Sequence, residues 1–149
     1  MDMLRIKILD PRLAPEHIGY QSAGAAAIDL RSCERGVVEI RCADQARLRT
    51  GIAVAVPDGH VGLIVPRSGL GLQGLVLGNL VGVIDPDYRG EVLVCAWNRR
   101  NDGESVIVRP LDRIAQLLIV PAPQYALHFV DDLGETGRGA GGFGSTGEQ

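Results

Sequence analysis

Apolar residues in this chain fall into several short strand-like stretches, with no helical pattern of about 12 residues between them. Residues 4–9 read L-R-I-K-I-L, a near-strict alternation that predicts a half-buried strand. Residues 36–40, 51–56 and 61–65 follow, rich in Val and Ile and separated by turn formers such as Pro57-Asp58-Gly59. Residues 81–84 and 91–97 flank the turn Asp85-Pro86-Asp87-Tyr88-Arg89-Gly90, and three more strands are predicted over 106–108, 114–120 and 125–130. Strands recurring about every ten residues, without helical patterns between them, predict an all-β sandwich or barrel rather than βαβ units. One short helical turn is expected after Ser68. There is no internal repeat and no domain linker.

Composition sharpens this picture. In 149 residues, 46% are apolar, enough for one sizeable core and against wholesale disorder. The 20 Gly and 8 Pro interrupt nearly every long apolar run, which again favours short strands joined by turns. The tail from Glu135 to Gly147 is nearly half glycine and carries one large apolar side chain, Phe143. It cannot build a core of its own. The expected organisation is therefore one domain, with a β-barrel over 1–134 and a flexible C-terminal arm over 135–149, which reads either as a disordered terminus or as an arm that orders over a ligand with Phe143 as its anchor.

A net charge of −3 and a pI near 5.6 give no electrostatic footprint for nucleic acid, so no nucleic-acid partner is expected. A small anionic ligand needs only a few convergent arginines and stays open. No apolar run approaches the roughly 18 residues of a membrane span, and the start Met1-Asp2-Met3-Leu4-Arg5 lacks a signal-peptide core. No membrane partner is expected, and a cytoplasmic location follows. Cys33, Cys42 and Cys95 have no CxxC spacing and read as reduced, mostly buried small hydrophobes. His17, His60 and His128 are far apart and have no zinc-ligand spacing.

Gly139-x-Gly141-x-x-Gly144 matches the dinucleotide fingerprint in letters only, because five residues remain after it where a helix and a second strand are needed. Consecutive glycine amides can still form a nest for anionic oxygens, and Ser145 and Thr146 add hydroxyl donors. Four further segments fit that theme. Pro66-Arg67-Ser68-Gly69-Leu70-Gly71 closes an apolar strand with a guanidinium, a hydroxyl and glycines. The stretch from Gly78-Asn79 through Asp85 and Tyr88 to Gly90 is a hairpin carrying an amide, a carboxylate and an aromatic ring. Arg113-Ile114-Ala115-Gln116 places two polar side chains at the head of an apolar strand, and Asp29 follows an apolar loop.

In this order, PRSGLG, GNLVGVIDPDYRG, RIAQ and RGAGGFGSTG resemble the motifs of the trimeric dUTPase family, and the resemblance runs from about Leu4 to Gly147. It implies a distorted all-β jelly-roll barrel, a homotrimer whose subunits share each active site, and hydrolysis of dUTP to dUMP and pyrophosphate. By the same resemblance Asp85 deprotonates the attacking water, with Gln116 and Arg138 also catalytic. Arg67, Ser68, Gly69 and Arg113 hold phosphates, and Gly144, Ser145 and Thr146 bind the γ-phosphate end. Asn79, Gly82, Val83 and Ile84 form the uracil hairpin, Tyr88 lies under the deoxyribose and rejects a 2′-hydroxyl, and Phe143 stacks on uracil. The implied cofactor is Mg²⁺, held mainly by the phosphates and touched by Asp29 through a water.

One position departs from the family pattern. Ala27 stands where glycine is usual, which would be strained if the loop needs positive φ there. Three rival readings bear on the same residues, and the blandest, a jelly-roll structural protein, would not need RIAQ and RGAGGFGSTG in register with the other motifs. A dCTP deaminase of this fold uses a glutamate that aligns with Cys95, and a thiol is a poor replacement. A nucleotide-binding regulator without catalysis would be expected to lack Asp85, Ser68 or the arm, and all are present.

Overall fold

The structure, a computed structural model, describes residues 3–142. The chain runs through β1 (Arg5–Ile8), β2 (Ile28–Arg31), β3 (Val38–Ile40), β4 (Gln45–Arg49), β5 (Ile52–Ala55), β6 (His60–Val65), helix α1 (Ser68–Leu72), β7 (Leu75–Leu77), β8 (Gly82–Ile84), β9 (Leu93–Asn98), β10 (Val106–Val108) and β11 (Arg113–Pro121). A single 3-10 turn, Pro15–His17, lies between β1 and β2.

The strands pair antiparallel in four small sheets: β1-β5, β10-β3, β2-β11-β6-β8 and β4-β9-β7. Most partners are distant in sequence, as in β2 against β11, and the result is a distorted jelly-roll barrel. The alternation read from the sequence is what closes it. In β9, Val94, Ala96 and Asn98 point inward while Leu93, Cys95 and Trp97 point out. Leu30, Ile40, Leu48, Val54, Ile64 and Leu117 converge from the several sheets on one core. Full burial of each such side chain contributes about 1.5–3 kcal/mol. The one buried amide in this core is satisfied: Asn98 Nδ2 donates to Ile40 O (2.9 Å) and Glu104 O (3.0 Å), tying β9 to β3 and to the loop before β10.

The structure differs from the sequence expectation in identifiable places. β2, β4 and β7 were not expected. β2 carries Asp29 and Arg31 and β4 carries Gln45, Arg47 and Arg49, so polar residues mask both, and β7 is only three residues long. The strand expected over 125–130 is not formed. Its alternation is real, but Tyr125, Leu127 and Phe129 are 80%, 82% and 89% exposed, and the segment pairs with no described strand. After Pro121 the described chain forms no further strand and is largely exposed. No helix among the described residues is long and apolar enough to cross a membrane.

Candidate functional site

Arg67, Arg113 and Gln116 all converge on Asp29. Asp29 sits mid-way along β2, opposite Gln116 on β11, which in turn pairs with Val65 at the end of β6. Arg67 follows two residues later, immediately before α1. Simple alternation would put Arg113 and Gln116, three residues apart, on opposite faces of β11. A bulge between Arg113 and Ala115 inserts one extra residue against β2 and turns both side chains to the same face. The carboxylate then accepts bonds from Arg67 Nε at Oδ1 (3.1 Å), Arg113 Nη1 at Oδ2 (3.1 Å) and Gln116 Nε2 at Oδ1 (3.4 Å). Its side chain is only 2% exposed, whereas those of Arg67 and Arg113 are 27% and 40% exposed. A buried carboxylate without partners would be strongly destabilising, and the two guanidiniums supply the compensation. They also line a cavity of about 500 Å³ with Arg109 and Arg100 on its rim.

The loop before Arg113 is held from β2. Arg31 Nη1 donates to Leu111 O (2.9 Å) and its Nε to His17 O (3.2 Å), while Leu111 N donates to Ser32 O (2.7 Å) and Ser32 N to Asp112 O (2.8 Å) across the gap. Leu111 has φ +65°, a conformation rare for a branched side chain, so this clamp holds the loop that delivers Arg113. Arg31 was not singled out in the sequence, because a lone arginine on an unrecognised strand carries no signal.

The hairpin from Gly78 to Gly90 lies elsewhere. Gly78 N donates to Cys95 O (2.8 Å), Val81 N to Asn79 O (2.7 Å), and Leu80 takes φ +62° at the tip. Asn79 is exposed, and Gly82 is buried against Ile64. Asp85 begins the turn closed by Tyr88 N donating to Asp85 O (3.1 Å), with Pro86 at its second position. Asp85 is exposed and lines a cavity of about 250 Å³ with Val83, Ile84, Tyr88, Glu91 and Leu93. The Tyr88 ring rests against Gly90, where any Cβ would fall 2.4 Å from its hydroxyl oxygen, and that hydroxyl donates to Glu91 O (3.0 Å). Gly90 thus makes the seat for Tyr88, a role visible only in three dimensions. The Glu91 carboxylate is occupied by Arg49 Nε (3.1 Å) and Gly51 N (2.8 Å). Cys95 lies at the hairpin root beside Gly78 and Gln45, outside that cavity's lining.

These two assemblies stand at opposite ends of β6. Gly62 pairs with Ile84, so the next residue, Asp85, falls beside Val61 near the start of the strand. Arg67 lies six residues further along, which corresponds to about 20 Å of extended chain. Within one chain the structure does not bring Asp85 to the arginine pair.

Ser68 and Gly69 are exposed in the first turn of α1. Arg138 is exposed on the arm, its Nε donating to Gly141 O (2.9 Å), and it reaches neither assembly within its own chain. Phe143, Gly144, Ser145 and Thr146 lie outside the described residues. Ala27 is not among the residues with positive φ, so alanine carries no left-handed strain there. Cys33 is fully buried, and burial pushes its thiol up to about 11, which keeps it protonated and unreactive at neutral pH. Among the described residues no three His, Cys, Asp or Glu side chains cluster as a metal cage.

With this geometry in hand, comparison with known proteins is direct. The dUTPase family profile matches residues 15–147. The chain is 48% identical to the deoxyuridine 5'-triphosphate nucleotidohydrolase of Laribacter hongkongensis, covering all of both chains. Its fold matches the dUTPase of Staphylococcus bacteriophage 80alpha solved with dUpNHpp, with a TM-score of 0.84 and 27% identity over 99% of each chain. The dUTPase of phage phi11 of S. aureus, described with a structural Mg(II) ion, shares the fold at a TM-score of 0.77 and 23% identity, covering 89% of this chain and 99% of that one.

Proposed function

The chain belongs to the dUTPase family, and on that premise we propose that it hydrolyses dUTP to dUMP and pyrophosphate, by water attack at the α-phosphorus in a site completed between subunits of a homotrimer. The observation that carries this reading is the cluster at Asp29, where residues from three separated sequence motifs meet as a paired-arginine anion clamp.

In this reading the hairpin cavity takes the nucleoside. Asn79 and the backbone of Gly82, Val83 and Ile84 bond the uracil edge, and Tyr88 packs under the deoxyribose. A site built on such bonds discriminates strongly, since the wrong base leaves buried groups unpaired. Asp85, at the mouth of that cavity, orients and deprotonates the attacking water, a contribution of typically 10²–10⁴-fold. Arg67, Ser68, Gly69, Arg113 and Gln116 hold the phosphates, and Gln116 and Arg138 stabilise the charge that develops there. Phe143, Gly144, Ser145 and Thr146, on the arm over 135–149, close over uracil and the γ-phosphate end.

The separation of about 20 Å along β6 supports sharing of the site, because a triphosphate is far shorter than that span. Asp85 of one subunit would face the Arg67–Arg113 pair of another. The exposed alternating segment Tyr125, Leu127, Phe129 supports assembly as well, since a strand-like run without an edge in its own chain is suited to a neighbour's.

Mg²⁺ fits the donor set. Hard Mg²⁺ keeps several waters and takes few protein ligands when a substrate supplies phosphate oxygens. Asp29 and Gln116 bring side-chain oxygens beside the arginines, and a carboxylate that accepts about four bonds retains capacity for a metal-bound water. The ion would offset phosphate charge when bound. Cys95 lies outside the hairpin cavity, so its identity does not bear on a deaminase reading; Glu91, the carboxylate other than Asp85 that lines the cavity, is engaged by Arg49 and Gly51 and lends that reading no support.

Incubation with Mg²⁺ and, separately, dUTP, dCTP, dTTP and UTP tests the proposal. dUMP and pyrophosphate are expected from dUTP alone. Ammonia released from dCTP, or no product from any of the four, would overturn it.

A further inference from the structure

The residues that the proposed function assigns to the triphosphate are held in place by a group that need not touch phosphate. We propose that Asp29 is a positioning residue that presets the Arg67 and Arg113 guanidiniums for anion binding before any metal ion or substrate arrives. This rests on the dUTP reading and adds a role for Asp29 that is independent of Mg²⁺.

Geometry carries the argument. Asp29 takes one nitrogen of each guanidinium, Nε of Arg67 and Nη1 of Arg113, at 3.1 Å each. Each guanidinium has five N–H donors in a fixed plane, so most donors of both remain for another anion. The carboxylate is buried on β2, which pairs with β11, so it is a fixed reference point, whereas both arginine side chains reach partly into solvent. Two like charges drawn to one carboxylate are kept together against their mutual repulsion. Gln116 Nε2 adds a third, longer contact to the Oδ1 that accepts from Arg67. The bulge at Arg113 is what lets one carboxylate reach both arginines. Ordering two long side chains in advance removes part of the entropy loss that a flexible arginine incurs on binding.

The proposal makes a prediction of opposite sign from simple electrostatics. Removing a buried negative charge beside an anion site should by itself tighten anion binding. If Asp29 positions the arginines, Asp29→Asn weakens it instead, because the amide turns a donor toward one of the guanidiniums and frees it. The affinity for dUpNHpp would be measured calorimetrically in EDTA, then with Mg²⁺, for the unaltered and Asp29→Asn proteins. The expected result is a loss of at least tenfold in EDTA. Unchanged or tighter binding in EDTA, with a loss seen only when Mg²⁺ is present, would overturn the proposal and leave Asp29 acting through the metal alone. Failure of the unaltered protein to bind dUpNHpp under both conditions would overturn the dUTP reading itself.

If the Asn variant does not fold, the unaltered protein still decides the matter. The Nε–H resonance of Arg67 in a nitrogen-correlated spectrum without ligand is expected to exchange with solvent at least tenfold more slowly than that of the exposed Arg109. Equal exchange rates would overturn the preset pair.

Discussion

Replacing Gly90 with alanine tests how the hairpin sets sugar specificity. A Cβ at this position would lie 2.4 Å from the Tyr88 hydroxyl oxygen, 2.6 Å from Cζ and 3.0 Å from Cε2. Ordinary contact begins near 3.4 Å, so the far edge of the ring must retreat by about 1 Å. Tyr88 would also give up its bond to Glu91 O, an exposed hydrogen bond worth about 0.5–1.5 kcal/mol. In a domain of this size that corresponds to a fall in Tm of no more than about 6 °C, so the variant folds. The functional effect should be larger. If the Tyr88 ring is what leaves no room for a 2′-hydroxyl, a displacement of this size admits it. The assay is kcat/KM for dUTP and UTP side by side. The UTP-to-dUTP ratio is expected to rise at least about tenfold, equivalent to about 1.4 kcal/mol of lost discrimination. Tyr88→Phe, which loses the hydroxyl bond but keeps the ring on Gly90, should leave the ratio within about threefold of its starting value. A folded Gly90→Ala protein with an unchanged ratio would refute the reasoning.

Asp85→Asn should keep the turn, since asparagine suits its first position, and change stability by less than about 0.5 kcal/mol. Its kcat should nonetheless fall by at least about 10²-fold, and single-turnover kinetics showing near-normal chemistry would remove Asp85 as the base. Leu80 is 72% exposed with φ +62°, so Leu80→Asn should relieve left-handed strain at little loss of packing and stabilise by about 0.5–1 kcal/mol in urea unfolding. Bonds from Arg12 hold the Asp10 carboxyl down from 3.8 to about 2. A pKa depressed by folding stabilises above the unfolded value and ceases to do so as pH falls through the folded one. Stability should therefore decline from about pH 4 toward pH 2 with an Asp10 component that Asp10→Asn removes; an identical slope in the variant would show that the pair contributes nothing.

Much of the architecture was legible because strand alternation and turn residues are local signals. β10 was read with its observed bounds, and β6 and β11 to within a residue or two at each end. β2 and β4 escaped because charged residues interrupt them: Asp29 and Arg31 on β2, and Arg47 and Arg49 on β4, lower the apolar signal of the strands that carry them. The segment over 125–130 has the right alternation but no partner strand among the described residues, and a single sequence does not report the edge a strand pairs with. At the site, residue types were readable and their mutual geometry was not. The bulge that turns Arg113 and Gln116 to one face, the strained Leu111 held by Arg31, and the Gly90 seat for Tyr88 all depend on contacts between distant residues. The split of the site along β6 likewise follows from strand register, which sequence alone leaves open.

Subunit mixing tests the shared site most directly. Asp85→Asn lacks the base, and Arg113→Ala lacks half of the arginine pair, so each homo-oligomer should be nearly inactive. Mixed under conditions that exchange subunits, the two variants can place an intact Asp85 from one chain opposite an intact Arg67–Arg113 pair from another. The account predicts recovery of a substantial fraction of dUTP turnover after exchange. Mixed oligomers that remain as inactive as their parents, with exchange verified by mass spectrometry, would contradict it and require both halves to act within one chain.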